Sequence, residues 1–194
     1  MKMIADPPQK IIPKWEAPPQ FAPGYYFRQA IAIAKFDAAA IRAAAADENA
    51  LLYGAFIWAV GQLVLFAGLA APAMARQPNT NWAVIAMGGA VAVILDAGAA
   101  VCQYAICHLL GQWIFGAHGR IVELLRALSL GSIVVWLFVI PYAGLVVGAL
   151  WSIAVMMRVF EEVDGIKKLQ AFGLALGTGA LFWIFALLLI APKG

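Results

Sequence analysis

Asp96 is the one acidic residue inside an apolar stretch of this 194-residue chain. A charged carboxylate at mid-membrane depth costs about 3 kcal/mol or more, so it must stay protonated or find a donor. Gln62, Gln103 and Tyr104 are the candidate donors. Together they offer either an ion, proton or substrate site or a neutral carboxyl that ties neighbouring helices together. The second reading is favoured, because no second acid or cation within the apolar stretches supports a relay. His108 and His118 are the only histidines. They are ten apart, not at the three- or four-residue spacing that puts two ligands on one helical face. Cys102 and Cys107 match no common zinc pattern and read as small hydrophobes. Gly-x-Ser-x-Gly, His-Glu-x-x-His and phosphate-cradling glycine loops do not occur, and Ser129, Ser132 and Ser152 have no convincing His and Asp pair. The expectation is a chain with no catalytic residue, no bound metal and no cofactor.

The elements that position these residues are set by composition. Hydrophobic residues make up 64% of the chain and charged residues 12%, about half the charged share of a soluble domain. Mean hydropathy is +0.88. A soluble core of this size cannot hide so much apolar surface, so lipid must be part of the solvent. This excludes a water-soluble enzyme, a disordered chain and a nucleic-acid-binding module. The formal net charge of +3 fits Lys and Arg on membrane flanks. The expected partners are membrane lipids, with other membrane proteins or self-association as further options.

Apolar segments of about 20 residues are long enough to cross a hydrocarbon core. The pattern predicts an all-α membrane bundle of five spans, at about residues 51–71, 82–115, 122–140, 142–159 and 169–191. The second would make a helix of about 51 Å, which either projects from the membrane or bends near Gly88–Gly89 or Gly98. Residues 1–24 hold six of the ten prolines and read as an extended arm. They show no apolar signal-peptide region. Residues 25–48 read as one interfacial helix, and residues 49–194 as the membrane domain. Five spans place eleven of the thirteen Lys and Arg residues on one side and leave Arg76 and Lys193 on the other. The positive-inside rule then puts the N-terminus in the cytoplasm and the C-terminus outside, with a prokaryotic inner membrane as the expected location.

Arg28, Lys35 and Arg42 recur every seven residues, a basic stripe on the 25–48 helix suited to anionic headgroups. A solvated helix packed on the bundle is an equal alternative. Glu161, Glu162, Asp164, Lys167 and Lys168 form a charged loop before the last span, solvated by default and otherwise a partner surface. Gly54, Gly61 and Gly68, then Gly144 and Gly148, then Gly173 and Gly177, repeat at seven- and four-residue spacing. Small residues let helices approach closely in lipid, so these are expected packing sites within one subunit, with dimerisation the lesser use.

From His108 to Phe172 the sequence resembles the Yip family, membrane proteins named for interaction with Ypt/Rab GTPases, in its prokaryotic branch. The elements are His108-Leu-Leu-Gly-Gln, Gly119, Ile140-Pro141, Trp151, and the loop from Phe160 through Glu161, Glu162, Val163, Asp164, Gly165 to Ala171. The likeness extends over about residues 25–191. The Asp-Leu-x-Gly-Pro segment of the eukaryotic members does not occur here. The resemblance implies a five-span fold with a cytoplasmic N-terminus and no enzyme activity. The expected function is a non-catalytic scaffold that organises membrane components through its cytoplasmic arm and loops. Two alternatives stand beside it: a small transporter, channel or lipid-handling protein using Asp96, and an accessory subunit of a larger membrane complex.

Overall fold

A computed structural model describes residues 22–75, 81–140 and 143–190. The proline-rich arm before residue 22, most of the loop at 76–81 and the Pro141–Tyr142 connection lie outside the described residues. Among the described residues all regular structure is helical. Its elements are α1 (Pro23–Ala34), α2 (Ala38–Ala46), α3 (Ala50–Ala75), α4 (Trp82–Phe115), α5 (Ile121–Gly131) with a tightened 3-10 continuation (Ser132–Val139), α6 (Ala143–Val159) with a widened last turn (Phe160–Asp164), and α7 (Lys168–Ile190). Three stretches are long and apolar enough to cross a membrane among the described residues: Ala50–Gly68, Ala86–Phe115 and Ile121–Val139.

Residues 25–48 do not form one helix. α1 ends at Lys35, Phe36 adopts φ 65, and Asp37 caps α2 by accepting from the backbone N–H groups of Ala39 and Ala40 at 2.8 and 3.2 Å. Asp37 is a strong N-cap residue, and its signal prevails over the alanine-rich helical propensity around it. The expected heptad stripe is therefore broken, with Arg28 and Lys35 on or just after α1 and Arg42 on α2. The two helices fold into a hairpin held by the Gln29 amide, which donates to the Ala40 carbonyl at 3.2 Å. The helix at 82–115 runs unbroken, so Gly88, Gly89 and Gly98 do not interrupt it.

Contacts fix the direction of each rod. Gly54 lies against Ser129 and Leu130, and Gly61 against Trp136, so α3 and α5 run parallel. Gln62 meets Asp96 and Phe66 meets Gly89, so α4 runs against α3. Val155 meets Gly131 and Gly148 meets Phe138, so α6 runs against α5. Leu174 lies beside Gly111 and Thr178 meets Cys107, so α7 runs against α4. Direction thus alternates from α3 to α7. Asp96 apart, every charged side chain among the described residues falls at the end where α3, α5 and α7 begin or on the α1–α2 hairpin.

The glycines divide accordingly. A Cβ on Gly54 would come within 2.6 Å of the Leu130 backbone nitrogen, and one on Gly61 within 2.7 Å of the Trp136 ring. Gly144 and Gly148 are similarly crowded, by the 3-10 segment. Gly68, Gly173 and Gly177 have nothing within 4 Å of such a Cβ and are not close-packing sites among the described residues. The repeat in sequence marks a helical face, but only the crossing point decides which of its members is pressed.

The water-excluded core lies at the charged end. The alanine face of α2 (Ala40, Ala44, Ala45, with Ile41) packs on α5, while Ile33 of α1 reaches Gly131 and packs with Val155. α1 crosses the bundle rather than running along it. Ala22, just before it, donates to the Tyr53 hydroxyl of α3; Phe27 lies 6.1 Å from the Trp136 ring; and the Ala34 carbonyl accepts from Trp151 Nε1 of α6 at 2.8 Å.

Candidate functional site

Asp164 closes the widened turn after α6 and is fully buried, not solvated as a loop residue would be. The imidazole Nδ1 of His108, in the last turns of α4, lies 3.2 and 3.3 Å from its two carboxylate oxygens. Two glycines make the approach possible. α4 stops at Gly116 in the left-handed region (φ 68), with the Ala117 N–H returning to the Gly111 carbonyl at 3.2 Å, the usual closure of a glycine-terminated helix. That turn carries His118 across to donate its backbone N–H to the Asp164 carbonyl at 3.2 Å. A Cβ on the next residue, Gly119, would lie 2.6 Å from the Val163 carbonyl oxygen, so only glycine lets the strap pass over the turn. Gly165 (φ 70) then releases the chain into α7.

Burial pushes the Asp164 carboxyl above the ordinary aspartate value, and the neighbouring Glu123 pushes the same way; the His108 hydrogen bond and charge oppose them. Glu123 itself caps α5 by accepting the Arg120 backbone N–H at 3.3 Å. The pair can hold a proton between α4 and the α6–α7 turn. Its chemistry is that of a latch, because both side chains are enclosed.

The remaining loop acids are also engaged. Glu162 pairs with Arg42 of α2 and, at 2.9 Å, with Arg158; Glu161 pairs with Arg158. Arg126 donates to the Ala45 carbonyl at 3.3 Å. Arg42 is thus spent within the fold, whereas Arg28, Lys35, Arg120, Lys167 and Lys168 are exposed and in no ion pair among the described residues.

At mid-span the structure brings two expected residues together: Gln62 Nε2 donates to Asp96 Oδ2 at 2.6 Å. Asp96 lies on the face of α4 that carries Gly89 and Cys107, yet it stays exposed because α3 and α7 do not close over it. Gln103 sits two turns further along, its amide beside Gly179 of α7, apart from that bond. Cys107 is buried, with its sulfur 2.8 Å from the Thr178 hydroxyl; Cys102 is exposed, and both are free thiols. Among the described residues no group of three or more His, Cys, Asp and Glu side chains is placed to hold a metal ion.

No protein-family model matches this chain, and neither a curated protein nor a solved structure matches it.

What sequence reasoning missed is the pairing of His108 with Asp164. The two lie 56 positions apart, beyond the reach of any helical spacing. A usable signal was present: a lone polar imidazole in an apolar segment requires a partner, and buried polar groups are paired.

Proposed function

We propose that the chain is a five-span, Yip-like integral membrane protein that organises membrane components by binding, with the hairpin and charged end in the cytoplasm. The alternating directions of α3 to α7 support five crossings, since each reversal returns the chain to the opposite end. The observation that carries the binding role is the division of charge at one end. Glu161, Glu162 and Asp164 are satisfied internally, while Arg28, Lys35, Arg120, Lys167 and Lys168 project outward. Such a surface attracts acidic partners or anionic headgroups.

Two measurements test this reading. Single-cysteine labelling in a background lacking Cys102 and Cys107 should leave Lys168→Cys protected in intact cells and Asn81→Cys reactive; the reverse pattern overturns the topology. A photo-crosslinker at position 168 or 120 should yield a discrete adduct with another membrane component. Solitary protein in every preparation would count against a scaffold.

The exposed Gln62–Asp96 pair favours a second reading, transport or lipid handling at mid-membrane. Flux or scrambling in proteoliposomes that Asp96→Asn abolishes would support it, and activity unchanged by that substitution would remove its basis.

A further inference from the structure

A cavity of about 320 Å³ lies where α1 crosses the start of α3. Its walls include Gly24, Tyr26 and Phe27 of α1 and Tyr53, Phe56 and Ile57 of α3. The two tyrosine rings stack at 4.0 Å, 13° from parallel. Their hydroxyls are already committed: Tyr26 donates to Asp47 at 2.7 Å, and Tyr53 accepts the Ala22 N–H at 3.2 Å. The rings therefore present carbon to the cavity. Phe27 and Phe56 stand 40% and 67% exposed at its mouth, which is open to the surroundings.

The depth of the cavity matters. Tyr53 to Ile57 occupy the first two turns of the apolar stretch Ala50–Gly68, within about 10 Å of its start at 1.5 Å per residue. In a bilayer that is the boundary between headgroups and acyl chains. Arg28 follows Phe27 directly and lies about 40° around α1 from Gly24. It is exposed and in no ion pair among the described residues. An apolar, aromatic-walled slot at the boundary, with an exposed cation one residue on from its Phe27 wall, has two complementary parts.

We propose that this cavity is a binding site for one anionic phospholipid, with an acyl segment between the α1 and α3 aromatics and the phosphate on Arg28. The proposal rests on the membrane reading above. It adds to that reading a specific ligand class and an occupant, where the charged end alone implies only diffuse attraction. Guanidinium–phosphate contacts are charge-assisted and directional, so headgroup preference follows from a single side chain.

Native mass spectrometry of the full chain in mild detergent tests the proposal, with phosphatidylglycerol and phosphatidylcholine of identical acyl chains as probes. The wild type should retain phosphatidylglycerol about tenfold better than phosphatidylcholine, the ratio expected of one charge-assisted contact. Arg28→Gln should erase that preference. Gly24→Trp should fill the slot and remove both adducts; a Cβ at position 24 meets nothing within 4 Å, so the backbone there accepts a side chain. Phe56→Ala removes an exposed wall and should lower retention independently. Equal retention of the two lipids by the wild type overturns the proposal, as does a phosphatidylglycerol adduct that survives Gly24→Trp. A severalfold rise in retention on deleting residues 1–20 would also overturn it, by showing that the cavity belongs to the chain's own N-terminal segment. Each variant is first checked for resistance to alkaline extraction from membranes. A wild type that washes off refutes the membrane reading itself, an outcome distinct from an embedded protein that binds no lipid.

Discussion

The His108–Asp164 latch makes the sharpest stability prediction. Asp164 is 0% exposed, so no water can replace a partner that is removed. His108→Ala deletes the imidazole that faces both carboxylate oxygens. One hydrogen bond to a charged group is lost and a buried acid is left without its side-chain partner. The expected cost is about 1.5–3 kcal/mol. Asp164→Asn keeps an acceptor for the imidazole and removes the buried charge, and should cost less than about 1 kcal/mol. The assay is reversible unfolding of the purified chain in mixed micelles, followed by tryptophan fluorescence. The pH dependence is cleanest in the His108→Ala background, where the interactions that hold the Asp164 carboxyl down are gone and burial and Glu123 only raise it above 3.8. A folded-state value above the unfolded one means that the folded protein binds the proton more tightly. That stabilisation is complete below about pH 3.8 and is lost as pH rises through the folded value. His108→Ala should therefore weaken progressively above about pH 4, and the added Asp164→Asn should abolish the slope. A His108→Ala protein within about 0.5 kcal/mol of wild type, or an unchanged slope in the double variant, would refute the latch.

Three further outcomes follow from the packing. Gly54→Leu drives a side chain into the α5 backbone at Ser129–Leu130 and should destabilise by about 1–3 kcal/mol, whereas Gly68→Leu, whose Cβ would meet nothing within 4 Å among the described residues, should be near neutral in the same unfolding assay. Trp136→Phe removes the indole donor to the Ile57 carbonyl at 3.1 Å and should cost about 0.5–1.5 kcal/mol by the same measurement. Arg42→Gln breaks a half-exposed pair with Glu162; its effect should stay within about 1 kcal/mol and shrink as salt is raised, because such pairs are screened.

Much of the architecture was legible from hydropathy. The run from Trp82 to Phe115 is one helix over the expected bounds, and α6 and α7 are separated near Asp164–Gly165, where a turn residue stands. The hairpin was less legible. An alanine-rich stretch with a heptad of cations looks like one helix, and the single Asp37 that divides it is a weak signal against that propensity until its side chain is seen to cap α2. Gln62 and Asp96 both stand out in the sequence, but their contact depends on the crossing of α3 and α4, which periodicity does not contain. The same holds for Gly68, Gly173 and Gly177, whose spacing matches that of Gly54 and Gly61 without their contacts.

By itself the sequence determined that this chain is built of helices apolar and long enough to cross a membrane, about where most of them begin and end, and which loops carry the charges. These follow from local properties: apolar length, helix-breaking residues and charge placement. Only the tertiary structure decided that Asp164 is interior and joined to His108, that Arg42 is spent on Glu162, and that an aromatic slot opens between α1 and α3. Each of these depends on the distance between segments far apart in the chain, and that distance is set by how the helices cross.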